Sequence, residues 1–147
     1  MKTFTGVARA EGLGRREAEY LGAADSFYLA TVSETGWPYI QHRGGPRGFL
    51  RLISPTRLAF ADFSGNRQYI SVGNASKDDR ASMIVVDYAA RRRLKLLGRL
   101  RFQGLDSELA GVVALPGYPA RVERVAVFDV EAFDWNCPQH ITPRCSP

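Results

Sequence analysis

Two arginines of the sequence stand beside chain breaks where the backbone could approach an anionic ligand. Arg43 ends a short extended run and is followed by Gly44 and Gly45, which lack a Cβ atom and let the backbone come close to a bound group. Arg67 follows a strand-like run and stands at the predicted start of a helix, where backbone N–H groups are free. A cation beside such N–H groups favours a phosphate or another anion. Residues 36–67 therefore predict an anion-binding site.

Strand-like and helical runs must position these two arginines. Runs rich in aromatic and β-branched residues predict strands at 27–33, 39–42, 49–53, 57–63, 81–88, 94–102 and 122–130. Helices are predicted at 15–24, 66–74 and 109–115. Because hairpin-sized links join several neighbouring strands, the sequence predicts a mostly antiparallel β-barrel with small helices filling its corners.

The ends of these elements carry further expectations. Glu17 is expected on the solvent side of the first helix. Gly73 and Asn74 are expected to end the second helix, and Asp106 is expected to cap the start of the third. From residue 132 the chain is polar and rich in proline, which predicts an irregular tail.

Length and composition indicate one soluble domain that spans residues 1–147, with 1–24 as an N-terminal helical cap. The formal charge of +5 and the isoelectric point near 9.6 suit nucleic acid, an anionic membrane or a phosphorylated small ligand, and they do not choose among these. No run is long and apolar enough to span a membrane, and the first residues contain no apolar signal region. A cytoplasmic location is therefore expected.

The cysteines and histidines predict no metal site. Cys137 and Cys145 both lie in the last segment, so the sequence has neither a disulfide framework nor the paired spacing of a zinc knuckle. His42 and His140 are the two histidines, and no spaced carboxylates accompany them.

Five features follow one another along the chain: the Arg-Gly-Gly step at 43–45, the Gly-Asn-Arg step at 65–67, an apolar strand ending at 87–88, the strand at 91–98, and the tail Trp-Asn-Cys-Pro-Gln-His-Ile-Thr-Pro-Arg at 135–144. In this order they resemble the pyridoxamine 5′-phosphate oxidase-like, flavin-binding split-barrel family, from residue 25 onward. The resemblance implies an FMN-binding split β-barrel with a six-stranded antiparallel core. It also implies a homodimer with FMN at its interface, against which the tail at 132–147 would lie.

The resemblance further implies which residues hold FMN. They fall on one strand, at the end of the next, at the following helix start, on the strand after the long turn, and in the tail. They are Gln41, His42, Arg43, Ala61, Asp62, Asn66, Arg67, Gln68, Arg93, Trp135, His140 and Arg144. Arg67 and the helix-start N–H groups would bind the phosphate, and Arg43 or a backbone N–H would lie near the N1 and O2 edge of the flavin.

Two departures from the family pattern argue against a pyridoxal-forming activity. Only Arg67 is charged where true pyridoxamine-phosphate oxidases carry a basic pair, since Gln68 follows it. The Lys, Tyr, Arg and Ser set that holds the substrate phosphate in those enzymes is not found in 105–121. The expected function is therefore that of an FMN-dependent oxidoreductase of small molecules, with catalytic residues unknown.

Two other functions stay open. The first is a non-enzymatic carrier or sensor of the same fold that binds FMN, haem or a deazaflavin. The second is a basic nucleic-acid-binding β-barrel, although the aromatic residues are not spaced along one exposed strand face. The expected partners are a small-molecule substrate and a second copy of the chain, with no nucleic acid and no membrane.

Overall fold

Antiparallel strands and three short helices form the fold in the computed structural model, which describes residues 8–9, 12–63, 69–118 and 121–136. The strands are β1 Ala8–Arg9, β2 Ser26–Val32, β3 Pro38–Gly44, β4 Arg51–Ser54, β5 Arg57–Phe63, β6 Arg80–Asp87, β7 Arg92–Gln103 and β8 Val122–Asn136. The helices are α1 Arg15–Gly22, α2 Tyr69–Lys77 and α3 Ala110–Val113. The predicted mostly β fold with small helices is confirmed.

The strands pair in the order β3-β2-β6-β7-β8-β5-β4, and the short β1 adds to β8. All neighbouring pairs are antiparallel. The hairpins β2–β3 and β4–β5 form as predicted, but the long strands β6, β7 and β8 separate them in the sheet. The path holds seven strands, where the resemblance implied a six-stranded core.

One face of the sheet encloses the main core. Phe27 packs edge-on against Phe60 with ring centroids 5.0 Å apart, and it lies parallel to Phe49 at 5.7 Å. Burial of each such side chain contributes roughly 1.5–3 kcal/mol to stability. The largest fully buried side chains are Phe27, Phe49, Phe60, Phe128, Leu21, Leu29, Leu50, Leu58, Met83, Leu94, Leu96 and Leu100. A second, smaller cluster joins α3 to the other face of β5 and β8.

A bulge lets the two longest strands, β7 and β8, stay paired while the sheet curves. The register shifts between Leu97 and Gly98 of β7. A Cβ atom at Gly98 would lie 2.0 Å from the carbonyl oxygen of Asp129, so only glycine fits at this position.

The prediction of an irregular tail from residue 132 is wrong for 132–136. These residues continue β8, because β7 pairs with them on one side and β1 on the other, with Trp135 opposite Leu94 and Phe133 opposite Ala8. Residues 137–147 lie outside the described part of the chain.

Three expectations about helices are also wrong. Glu17 is buried, not on the solvent side of α1. The second helix continues past Gly73 to Lys77, because Gly73 does not adopt the positive φ of a helix-ending glycine and Asn74 donates to Thr31 of β2 instead of ending the helix. Asp106 does not cap α3, which begins at Ala110 with Leu109 in the capping position.

The predicted strand at 49–53 is shorter at its start. Strand β4 begins at Arg51, since Phe49 and Leu50 precede it as loop residues whose side chains are inserted into the core.

Candidate functional site

A buried ion pair brings together two residues of the predicted site. Arg43 Nη1 of β3 donates to Asp62 Oδ1 of β5 at 2.7 Å. Arg43 is 3% exposed and Asp62 is fully buried. The two strands are far apart in the sheet order, so the pair crosses the interior that the curved sheet encloses.

Arg124 of β8 completes this charged cluster and was not among the residues predicted for the site. Its Nη1 donates to Asp62 Oδ2 at 3.0 Å and its Nη2 donates to Glu123 Oε1 at 2.9 Å. Arg124 lies opposite Asp62 in the β5–β8 ladder, a pairing between residues distant in sequence. Burial raises the pKa of Asp62 above its ordinary value, although both guanidiniums act in the opposite direction. Burial also lowers the pKa of Arg43.

Arg43 does not face outward across the two glycines that follow it. A Cβ atom at Gly45 would lie 2.7 Å from Cγ of Phe49, so this glycine admits a core phenylalanine. The Gly45 N–H donates to the carbonyl oxygen of Asp25 at 3.0 Å. The glycine step therefore serves packing, and the Arg43 side chain enters the interior instead.

Neutral polar groups lie beside the cluster and fasten α2 to the sheet. Ser71 Oγ donates to Gln41 Oε1 at 3.0 Å, which brings a predicted β3 residue against the helix. Asn74 Nδ2 donates to Thr31 Oγ1 of β2, also at 3.0 Å. Ser71, Asn74 and Thr31 are buried and were missed from the sequence, because their signal is only that of ordinary polar residues.

The structure does not bring the other described residues of the predicted set to this cluster. His42 and Arg93 point to the outer face of the sheet, because successive strand residues alternate between faces. Ala61 is buried in the second cluster beside Val113, on the opposite face of β5 from Asp62.

Trp135 packs against α1. Its Nε1 donates to Glu17 Oε2 at 2.8 Å, and its ring meets the edge of Tyr20 at a centroid distance of 4.8 Å. The Arg16 guanidinium lies 4.3 Å from the centroid of the indole ring. Within one chain, Trp135 thus belongs to the packing of the first helix.

The remaining predicted residues, Asn66, Arg67, Gln68, His140 and Arg144, lie outside the described part of the chain. The first three belong to the segment 64–68, which joins Phe63 at the end of β5 to Tyr69 at the start of the described helix α2.

The described residues fit FMN in chemical type. The Gln41 amide and the Ser71 hydroxyl are neutral hydrogen-bonding groups of the kind that suits the nitrogen and oxygen edge of a flavin ring. In the charged cluster, Asp62 and Glu123 offset the charges of Arg43 and Arg124. A cation that would bind the phosphate of FMN must therefore lie outside this charged cluster, and Arg67 is the residue predicted for it.

The described part of the chain contains no group of three or more His, Cys, Asp or Glu side chains that could hold a metal ion. None of the helices described is both long enough and apolar enough to cross a membrane.

Comparison with known proteins supports the fold. No protein-family model and no curated protein matches the sequence. A crystal structure of a variant of the HupZ protein of Group A Streptococcus matches with a TM-score of 0.67 at 14% identity, covering 84% of this chain and 99% of that one. A candidate pyridoxamine 5′-phosphate oxidase of Lactobacillus delbrueckii matches with a TM-score of 0.67 at 16% identity, covering 88% and 98%.

A third match is a pyridoxamine 5′-phosphate oxidase-related, FMN-binding protein of Nostoc punctiforme, with a TM-score of 0.54 at 14% identity, covering 82% of this chain and 78% of that one. These likenesses confirm the split-barrel fold that the resemblance implied.

Proposed function

We propose that this chain binds FMN and acts as a flavin-dependent oxidoreductase of small molecules. The observation that carries the proposal is the Arg43–Asp62 pair within a split barrel, with Gln41 two residues before Arg43 on the same face of β3 and with β5 leading into the segment with Arg67. The FMN-binding protein of Nostoc punctiforme shares this fold.

Each residue has a distinct part in this proposal. Arg67 and backbone N–H groups before α2 bind the phosphate, while the Gln41 amide bonds to the ring edge. Asp62 holds Arg43 and Arg124, which fixes β3 relative to β5 beside the cofactor. When bound, FMN supplies hydride and single-electron transfer.

We also propose that two copies associate through the outer face of the sheet. On this face Ile40 is 65% exposed and Tyr28 is 37% exposed, beside the half-buried Ile84 and Leu97. Neighbouring strands place these four side chains in adjacent rows, since Tyr28 lies opposite Ile84. We call them the outer apolar face. A second copy would cover it and the exposed edge of β3, and would bring His42 and Arg93 to the interface.

Anaerobic reduction of the bound flavin tests the enzymatic part of the proposal. The FMN-loaded protein is mixed with NADH or NADPH, and bleaching of the flavin absorption band is followed. An oxidoreductase should accelerate bleaching by at least about tenfold over free FMN with one of the two donors. If FMN binds tightly but neither NADH, NADPH nor any of a panel of chemical reductants reduces it faster than free FMN, the protein is a carrier and the enzymatic proposal is contradicted.

A further inference from the structure

A cleft of about 450 Å³ opens between α1, the start of β2 and the turn that joins β6 to β7. Its volume lies in the range of sites for small organic ligands. Among the predicted FMN-binding residues that the structure describes, none lines the cleft, and Trp135 lies beside it through its contacts with Arg16 and Arg92. The cleft is therefore a separate candidate site.

Arg92 in the wall of this cleft lies beside two aromatic rings, and its Nε forms no hydrogen bond with the described residues. Its guanidinium lies 5.0 Å from the Tyr20 ring centroid and 5.7 Å from that of Trp135. These contacts orient the guanidinium without accepting a hydrogen bond. The Nε–H is buried and has no acceptor among the described residues. Arg92 as a whole is half-buried and lines the cleft, and the planar edge formed by the two Nη groups of a guanidinium matches a carboxylate.

Tyr20 lies against Arg92 in this wall and carries no charge. Its hydroxyl lies 2.9 Å from the carbonyl oxygens of Val85 and of Arg92. Burial raises the pKa of Tyr20 to about 12, so the hydroxyl stays protonated and the ring stays uncharged at neutral pH. Arg92 is thus fixed from both its backbone and its side chain.

Asp87 stands directly opposite Arg92 in the β6–β7 ladder. Side chains so placed share one face of the sheet and begin about 5 Å apart, which normally allows a cross-strand ion pair. No such pair forms, because Arg92 turns onto the two aromatic rings and Asp87 Oδ1 accepts the Ala90 N–H at 3.0 Å. A positive and a negative group therefore face one cleft at short range without neutralising each other.

The other charged residues of the cleft repeat this balance. Arg16 and Arg47 add two positive charges, and Glu19 and Asp25 add two negative ones. No ion pair within 4.0 Å joins any of the cleft's charged residues in the described part of the chain. A lining that has no net charge but carries separated positive and negative groups suits a ligand that also carries one group of each sign.

We propose that the cleft binds a small amphoteric molecule of the α-amino-acid type, with its carboxylate on Arg92 and its ammonium on Asp87. The apolar part of the ligand lies against Val85 and the alanines at the end of α1. This site is independent of FMN binding and of the proposed redox activity.

Titration of the folded chain with three matched probes, followed by amide NMR spectra, tests the site. The probes are L-phenylalanine, hydrocinnamate, which lacks the ammonium, and phenethylamine, which lacks the carboxylate. L-phenylalanine should cause saturable shifts at the cleft, and each of the other two should bind at least about tenfold more weakly, the worth of one charge-assisted hydrogen bond.

Two variants test which protein side chain binds each charged group of the ligand. Asp87→Asn keeps an oxygen for the Ala90 N–H and so keeps the turn, but it should make L-phenylalanine and hydrocinnamate bind equally. Arg92→Lys keeps the charge and loses the planar guanidinium edge, and it should weaken binding of L-phenylalanine by about tenfold, whereas Arg91→Lys on the adjacent turn should not. Thermal melts confirm that each variant is folded.

Four results overturn the proposal. They are no saturable shift with the folded wild-type chain, equal binding of L-phenylalanine and hydrocinnamate to it, equal losses for Arg91→Lys and Arg92→Lys, and shifts confined to residues outside the cleft.

Discussion

Arg43 and Asp62 place opposite charges in the interior of the barrel. A charge buried alone costs several kcal/mol, and removal of one partner of such a pair typically costs about 3–5 kcal/mol. Two guanidiniums contact the one carboxylate, which leaves Asp62 paired on both oxygens. The cluster therefore fixes β3, β5 and β8 relative to one another and does not act as a free cation for an incoming ligand.

Glu17 is the second buried carboxylate with defined partners. Its two oxygens accept the Gly14 N–H at 2.8 Å and the Trp135 indole N–H at 2.8 Å. Burial acts to raise its pKa, but the hydrogen bonds from Trp135 and from the backbone outweigh it, so the pKa is lowered. One residue thus caps α1 and joins it to β8.

Glu17→Gln should lower the free energy of unfolding at neutral pH by about 1–2 kcal/mol, because one charge-assisted hydrogen bond is lost. A lowered folded pKa stabilises the fold above the unfolded pKa, and this contribution is lost as the pH falls through the folded value. The difference between variant and wild type should therefore shrink as the pH falls below the ordinary pKa of a glutamate side chain and through the lowered folded pKa of Glu17. Urea unfolding at several pH values measures it.

Glu19→Gln is the control, since Glu19 lies on the same helix and is exposed. A loss for Glu17→Gln that stays constant down to the lowest pH would show that its charge is not involved.

The sequence indicated part of this residue-scale chemistry. Arg43 and Asp62 stand near recognisable strand ends, and the structure brings these two into contact, with Gln41 on the same strand as Arg43. Arg124 was missed because its contact with Asp62 depends on a ladder between strands about sixty residues apart. Arg43 was expected to face a ligand, since a glycine step looks the same whether it admits a cofactor or Phe49.

At the scale of elements, the bulge at Gly98 decides how β7 and β8 curve together. These are the longest strands, with 12 and 15 residues, and a regular ladder of that length would not follow the enclosed core. The bulge places Gly98 against the Asp129 backbone, where no side chain fits.

Gly98→Ala should destabilise the protein by about 3 kcal/mol or more, since backbone on both sides must shift to admit a methyl group. Gly73→Ala is the matched control, because Gly73 is exposed in α2 with no atom near its Cβ position. That change should stabilise the protein by about 0.5–1 kcal/mol. Thermal unfolding compares the two, and a tolerated Gly98→Ala would show that the bulge can relax.

Strand positions followed well from the runs of β-branched and aromatic residues, whereas element ends did not. The segment 132–136 precedes a proline-rich stretch and was expected to be irregular, yet pairing with β7 and β1 keeps it extended. Gly73 and Asn74 read as a helix stop, but the bond from Asn74 to Thr31 holds this part of α2 against β2. In each case a partner distant in sequence decides where the element ends.

For the whole molecule, the outer apolar face sets the expected assembly. Ile40→Lys would place a charge on the most exposed side chain of that face and should shift the molecule from dimer to monomer, as measured by light scattering. Leu105→Lys is the control, since Leu105 is 52% exposed in the loop after β7 and lies off the face. A monomeric wild-type chain, or a dimer that both variants leave intact, would contradict the proposed interface.

Binding of FMN against riboflavin, measured by flavin-fluorescence quenching, tests the central claim most directly. We expect wild-type protein to bind FMN with a micromolar or tighter Kd. Arg67→Ala should weaken FMN by about 1.5–3 kcal/mol while riboflavin, which lacks the phosphate, is hardly affected. The exposed Arg91→Ala serves as the control and should bind FMN like wild type. Unquenched FMN with folded wild-type protein, or equal losses for the two variants, would contradict the FMN site.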